Sequence, residues 1–254
     1  MLIPIPDLRE ARRLLCVQPH YDDNDIGAGG TLACLSAGGA ELHYLTVADD
    51  LLGVLDPGLD DGQALSRIRA EQSTAGSLVG VVSQQRLEYP DAGAWDHLAL
   101  RRAIVAAIRT HQPDFLVTVD PWLPGEAHLD HVRTGLAAAE AVLLHGLPRV
   151  ASEPDADGAW LQAGSPSLRG VAFYFTARPN TFFDIGPGRQ VKHSALDTYV
   201  SQFTSETLRQ LHEGLEVKER EWGERAGCHH AEALRVVHPA HLHCNPDAEE
   251  MEAR

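Results

Sequence analysis

Histidines and aspartates cluster in two short segments of the sequence, HYDDND at residues 20–25 and HLDH at residues 128–131. Their titratable members are His20, Asp22, Asp23, Asp25, His128, Asp130 and His131. Like charges at close range oppose folding, so a cation is expected among these carboxylates. Catalytic zinc usually takes three protein ligands from His and Asp or Glu and keeps one position for water. The two segments therefore predict a site for Zn²⁺ or another divalent transition metal.

The spacing leaves open which aspartate would bind the metal. If the strand geometry persists beyond His20, side chains two residues apart share a face, and His20 pairs with Asp22. If the chain has already turned into a helix, His20 and Asp23 converge at a spacing of three residues. His128 and His131 have that same spacing and share a face if a helix begins there.

The glycines of GAGGTL, directly after the first cluster, also admit a dinucleotide-binding interpretation. Gly27 and Gly29 satisfy the first part of G-x-G-x-x-G, but the third position is Leu32. The neighbouring carboxylates would also face the pyrophosphate across a loop that has to bind an anion. The sequence thus favours a metal over a dinucleotide.

The elements around the two clusters are indicated by apolar patterning. Runs with strand character alternate with stretches whose apolar residues recur every three or four positions. Strands are predicted at 13–18, 41–47, 86–89, 114–120 and 170–176. Helices are predicted at 29–39, 64–80, 97–112, 131–146 and about 190–226, with a surface loop at 151–169. The alternation predicts an α/β, Rossmann-like, mostly parallel sheet with helices on both faces, in one domain over residues 1–254.

Polar segments follow three of the predicted strands. PHYDD follows the first strand, YPDAG the third and DPWLPGEAHLDH the fourth. In open parallel sheets the functional groups gather at the carboxyl ends of the strands. All three segments should therefore face one crevice.

Composition argues against several classes of partner. The formal net charge of −15 speaks against a nucleic acid, since phosphate binding needs a basic surface. No stretch approaches the ~18 unbroken apolar residues of a membrane span, and the N-terminal segment lacks the pattern of a secretory signal. The four cysteines lack disulfide-scaffold spacing, so a cytoplasmic protein with reduced thiols is expected.

In this order, the motifs resemble the PIG-L/LmbE-like family of zinc-dependent de-N-acetylases. The family pattern runs P-H-P-D-D-E, G-x-G-G-T-L, an Arg/Glu helix ending in L-G-V, Y-P-D-G, R-P-D-x-V and H-x-D-H. Here these places hold PHYDDND, GAGGTL, RIRAE through VGV, YPDAG, QPDFLV and HLDH. A late family element, a helix with S-Q and then an A-E pair, is matched by YVSQF (199–203) and HAEAL (230–234). The sequence departs from the pattern at Tyr21, Asn24 and Asp25.

The resemblance implies a role for each residue of the two clusters. The metal ligands would be His20, Asp23 and His131. Asp22 would be the general base that takes a proton from the attacking water. His128 would hold the negative charge that develops on the carbonyl oxygen and would protonate the leaving amine. Asp130 would orient an imidazole.

Four further positions correspond to the family less closely. Arg67 and Arg69, in RIRAE, would bind substrate or form a solvated helix face. Asp91 would bind a sugar hydroxyl or shape a turn. Tyr199 would assist the oxyanion or have an ordinary packing role.

The activity that the resemblance implies is removal of the N-acetyl group from an N-acetylglucosamine-containing small conjugate, by a homo-oligomer such as a hexamer. One alternative is a zinc amidase that acts on a larger thiol or acyl conjugate. Another is a module that binds metal or sugar without turnover, although a base at Asp22 argues against it. The Cys/His-rich tail, CHH at 228–230 and HPAHLHC at 238–244, matches no standard zinc-finger spacing. We interpret it as surface or subunit-contact groups rather than a second zinc site.

Overall fold

A seven-stranded sheet forms the centre of the structure, a computed structural model that describes residues 3–163, 168–245 and 248. The strands are β1 Arg13–Gln18, β2 Glu41–Ala48, β3 Val81–Tyr89, β4 Phe115–Val119, β5 Gly170–Tyr174, β6 Thr181–Asp184 and β7 Ala231–Val237. Their order is β3-β2-β1-β4-β5-β7-β6. The first five strands pair in parallel, and β7 is antiparallel to both β5 and β6. The predicted mostly parallel sheet is confirmed.

Helices cover both faces of this sheet. They are α1 Asp23–Ala37, α2 Asp61–Val79, α3 His97–His111, α4 Leu129–Leu144, α5 Pro154–Ala163, α6 Arg189–Leu196 and α7 Ser205–Ala226. Alternate residues of β1 enter two separate cores: Cys16 packs with α1 and α2, and Val17 packs with α3 and α4. This period of two follows from the pleat of a strand buried on both faces. No helix within the described ranges has the length and the apolar character needed to cross a membrane.

The first helix begins earlier than the sequence pattern indicates. The apolar period predicts a start at residue 29, whereas α1 begins at Asp23. Its first turn carries Asp23 and Asp25, and acidic side chains there interact favourably with the helix dipole. The polar segment that looks like a loop in the sequence is therefore the N-terminus of the helix.

The helices of the C-terminal half depart from prediction in two places. The single helix expected at about 190–226 is two helices, α6 and α7, and the break contains Thr204, whose hydroxyl caps α7 by accepting the N–H of Thr207. The predicted loop at 151–169 contains α5, which begins at a proline, a residue favoured in the first helical turn. Part of that loop, 164–167, lies outside the described residues.

The strands β6 and β7 are absent from the prediction, and β3 begins at Val81 rather than at residue 86. The A-E pair of HAEAL lies on β7 and not on a helix, and the S-Q pair lies in the turn between α6 and α7. Alanine, glutamate and leucine favour helices in isolation. Here β7 lies between β5 and β6, and tertiary pairing overrides that preference.

Candidate active site

The carboxyl ends of β1, β3 and β4 bring the two His/Asp clusters together. The chain leaves β1 through His20, and Asp22 occupies the N-cap position of α1. The loop after β4 ends at His128, the N-cap residue of α4, whose ring nitrogen accepts the N–H of Asp130. The ring centroid of His20 lies 4.6 Å from that of His128 and 5.3 Å from that of His131. Residues more than a hundred positions apart in sequence thus share one cluster.

His20, Asp23 and His131 form the first group of possible metal ligands. One ligand atom from each lies within 4.8 Å of the others. Oδ2 of Asp23 is 3.2 Å from Nδ1 of His20, and Oδ1 is 3.5 Å from Nε2 of His131. Because the helix begins at residue 23, it is Asp23 and not Asp22 that turns toward His20. The structure thus realises the spacing of three residues that the sequence left open.

A second group shares His20 and lies on its other side. It comprises His20, Asp91, His128 and Asp130, whose candidate ligand atoms also lie within 4.8 Å of one another. Nε2 of His20 is 3.4 Å from Asp91 and 3.8 Å from Asp130. Asp130 is fully buried, and its Oδ2 accepts the N–H of Ala92 at 2.8 Å. Carboxylates beyond a ligating imidazole commonly fix its orientation, which is the role these two aspartates can serve here.

The electrostatics of the cluster favour a bound cation. Burial raises the pKa of Asp22 well above its ordinary value, and the carboxylates of Asp23 and Asp50 raise it further. Burial opposes protonation of His20, but the surrounding carboxylates, Asp130 foremost, outweigh it and raise the pKa of the imidazole. Perturbed groups gathered in one crevice are typical of functional sites.

The donor set fits a catalytic metal. Two imidazoles and one carboxylate are a set of protein ligands that catalytic zinc takes. Nε2 of His20 is buried and makes no hydrogen bond with any residue in the described ranges. A buried polar atom left without a partner is costly. An ion bound at Nδ1, the nitrogen that faces Asp23, would keep the ring proton on Nε2, where the carboxylates of Asp91 and Asp130 lie close enough to accept it.

Glu126, which the sequence analysis did not single out, contacts both histidines of the HLDH segment. Its Oε2 lies 3.2 Å from Nδ1 of His131, and its Oε1 accepts the N–H of His128 at 2.7 Å. It stands in the loop before α4, two residues from His128. The signal that could have found it is an acidic residue two positions before the first histidine of HLDH.

Replacing Glu126 should weaken metal binding without removing a ligand. In Glu126→Gln the acceptor for the His128 N–H remains, but the charge beside His131 is lost. The affinity for Zn²⁺ is expected to fall by a factor on the order of 10 to 100, as measured by competition with a chromophoric chelator. Glu140→Gln is the matched control, because Glu140 is on α4 and pairs with His97 at 3.1 Å on the surface. An equal loss in both variants would contradict the role of Glu126.

The structure does not bring Arg67, Arg69 and Tyr199 into contact with the two ligand groups. The side chain of Arg67 is half exposed and lies 4.0 Å from Asp56. Arg69 pairs with Glu88 at 2.6 Å. Tyr199 is fully buried, and its hydroxyl bonds to Asp25 and to the carbonyl of Tyr21. These contacts favour the packing alternative.

The three departures from the family pattern are also buried. Asp25 accepts hydrogen bonds from the hydroxyls of Tyr44 and Tyr199, at 2.8 and 2.6 Å. Burial raises the pKa of Asp25 to about 6, although both tyrosines oppose the shift. The amide of Asn24 points to the carbonyl of Cys16 at 3.4 Å, and Tyr21 is also completely buried. These three side chains are therefore buried beside the cluster and belong to neither ligand group.

Asp50 is a second residue that the sequence analysis missed. It lies two residues beyond the end of β2, at the same sheet edge as the clusters, and is 4% exposed. Burial raises its pKa to about 7, although the charge of His20 and the hydrogen bond from Tyr21 oppose the shift. The signal that could have found it is the acidic pair at 49–50, which follows a parallel strand just as PHYDD does.

The fold and the site together define a class of protein, an α/β protein with an imidazole–carboxylate site at the carboxyl ends of its parallel strands. Residues 15–142 match the family described as PIG-L, GlcNAc-PI de-N-acetylase. The chain belongs to this family of metal-dependent de-N-acetylases, and the resemblance seen in the motifs is confirmed.

Relatives and solved structures agree with this assignment. The diacetylchitobiose deacetylase of Thermococcus kodakarensis is 32% identical over 241 residues, which cover 94% of this chain and 88% of that protein. The N,N'-diacetylchitobiose deacetylase structure from Pyrococcus horikoshii, in complex with an inhibitor, has a TM-score of 0.83 and 31% identity, covering 94% of this chain and 88% of that one. A 1D-myo-inositol 2-acetamido-2-deoxy-alpha-D-glucopyranoside deacetylase of Rhodococcus opacus is 33% identical over 175 residues, covering 59% of this chain and 58% of that protein.

Proposed function

We propose that this protein hydrolyses the N-acetyl group of an N-acetylglucosamine-containing small conjugate and that its metal is zinc. One observation carries the proposal: His20, Asp23 and His131 converge within 4.8 Å at the carboxyl edge of the sheet. Asp22, beside them in the chain, stays outside that group. The named relatives act on acetylated amino sugars, which supports this substrate class.

His20, Asp23 and His131 would hold the metal. A zinc ion bound there would polarise the acetamide carbonyl and lower the pKa of a water molecule. Asp22 takes the proton of the attacking water, a task for which a carboxylate with a raised pKa is suited.

The remaining residues of the cluster would handle the substrate. His128 donates a hydrogen bond to the developing oxyanion and a proton to the leaving amine. Asp130 holds the orientation of His20, and Asp91 offers a carboxylate to a sugar hydroxyl. Arg67 and Arg69, which pair with Asp56 and Glu88 in the structure, would bind substrate only if it extends to those pairs.

We also propose that the enzyme works in the cytoplasm as a homo-oligomer. All four cysteines are free thiols, which suits a reducing compartment. Large apolar side chains are exposed at Leu52, Leu129 and Val200, where a second subunit could cover them.

The test is acetate release from N-acetylglucosamine, from diacetylchitobiose and from the inositol glycoside of N-acetylglucosamine. Release is expected from at least one of the three, lost after treatment with a chelator and recovered when zinc is added back. Cleavage of longer acyl or thiol conjugates alone would indicate the amidase instead. Stoichiometric metal with no release from any substrate would indicate a binding module.

A further inference from the structure

The buried carboxylate of Asp50 is tied to the loop that carries the site, although it belongs to neither ligand group. Its Oδ2 accepts the backbone N–H of Tyr21 at 3.0 Å and the side-chain N–H of Gln202 at 2.7 Å. The residue has the left-handed backbone conformation, with φ 58° and ψ 24°. Aspartate tolerates this left-handed region better than most residues do. Residues other than glycine nevertheless adopt it only rarely. An uncommon backbone conformation that aims a buried carboxylate at one peptide group is typical of functional sites.

Tyr21 is the residue whose backbone separates His20 from Asp22. Its carbonyl accepts hydrogen bonds from the hydroxyl of Tyr199 at 2.9 Å and from the amide of Gln18 at 3.2 Å. Its N–H is bonded to Asp50. Both backbone polar groups of Tyr21 are therefore hydrogen-bonded, the N–H to the segment after β2 and the carbonyl to β1 and to the turn between α6 and α7.

The turn between α6 and α7 is held by two buried carboxylates, of which only one reaches the site loop. Glu71 of α2 accepts the N–H of Ser201 at 3.1 Å and its hydroxyl at 2.5 Å. The next residue, Gln202, bonds to Asp50 instead. The S-Q pair thus joins the turn to α2 through Ser201 and to the site loop through Gln202 and Asp50.

We propose that Asp50, supported by Gln202, is a positioning residue that fixes the direction of His20 and Asp22 by holding the N–H of Tyr21 between them. The proposal rests on the function proposed above. Without this acceptor the peptide group between His20 and Tyr21 can rotate. The imidazole of His20 and the carboxylate of Asp22 would then move with it. A misplacement of about 1 Å in a catalytic group can cost on the order of 10²-fold in rate.

The test compares Asp50→Gly with Asp50→Asn in the full chain. Glycine keeps the left-handed conformation and removes the acceptor, whereas asparagine keeps an acceptor oxygen. In Asp50→Gly, kcat and the affinity for Zn²⁺ are each expected to fall by a factor on the order of 10 to 100, with KM changed less than about threefold. Asp50→Asn should recover most of both losses. Zinc affinity is measured by chelator competition, so this arm gives a result even if no tested substrate is hydrolysed.

Glu71→Ala is the matched control, because it releases the same turn at Ser201 but leaves the hydrogen bond between Asp50 and the Tyr21 N–H in place. It should lower the melting temperature while leaving kcat and zinc affinity within about threefold of the wild type. If Asp50→Gly does not fold, Gln202→Leu replaces it, with a smaller loss expected in the same two quantities. Unchanged kcat and zinc affinity in Asp50→Gly would overturn the proposal. Equal losses in Glu71→Ala would overturn it as well, since the turn as a whole would then be responsible.

Discussion

Asp22→Asn is expected to lower kcat/KM for acetate release by a factor on the order of 10² to 10⁴ while the bound metal is retained. Asparagine has nearly the same shape as aspartate but cannot take a proton from water. The substitution leaves the ligand group untouched, because Asp22 is not a member of it. It also removes no helix cap, since the side chain of Asp22 makes no capping hydrogen bond to α1. The measurement is kcat/KM together with zinc per chain by elemental analysis.

His131→Ala is the contrast to Asp22→Asn. Its expected effect is on the zinc content itself, because one of the three proposed ligands is gone, and its activity should follow the remaining zinc. A fully loaded His131→Ala protein would contradict the ligand assignment. Loss of zinc from Asp22→Asn would mean that Asp22 and Asp23 have exchanged roles.

The ambiguity between those two aspartates shows why the site could be predicted only in part. Residue types and strand ends predict that His20 and the HLDH segment meet, because parallel strands share a carboxyl edge. Whether Asp22 or Asp23 turns inward depends on the residue at which α1 begins, and the apolar period places that start six residues too late. The period follows buried apolar side chains, and the first turn of α1 buries carboxylates instead.

The supporting residues are harder to predict than the cluster itself. Asp50 lies in the segment after β2 and Glu126 in the loop before α4, and loop paths leave no periodic trace in a sequence. Tyr199 shows the converse, since its position beside a family motif suggests the site, but the break between α6 and α7 directs its hydroxyl to Asp25. In the fold, the parallel strands and their helices are predictable from alternation. The strand β7 is not predictable in this way, because its alanine, glutamate and leucine residues favour a helix. Only the pairing with β5 and β6 makes this segment a strand.

Lys192→Met is expected to lower the free energy of unfolding by about 3–5 kcal/mol, the typical cost of leaving a buried charge without its partner. Nζ of Lys192 lies 2.8 Å from Glu232 and 3.1 Å from Glu219, and all three side chains are at most 1% exposed. Methionine fills a similar volume without the charge. Glu232 then loses its cationic partner, and Glu219 keeps Arg189 at 2.7 Å but loses one of its cationic partners. Urea denaturation, compared at equal m-values, measures the change.

The other lysine of the chain provides the control, and pH separates charge from packing. Lys218 is 59% exposed and pairs with Glu221 at 2.8 Å on the surface, so Lys218→Met should change stability by less than about 1 kcal/mol.

Burial opposes ionisation of Glu219, but His193 and Lys192 outweigh it and lower its pKa from 4.5 to about 2. Because this pKa is lower in the folded state, the stabilisation is present above pH 4.5 and is lost as the pH falls toward 2. The difference between wild type and Lys192→Met should therefore narrow below pH 4.5, whereas a constant difference would assign the effect to packing alone.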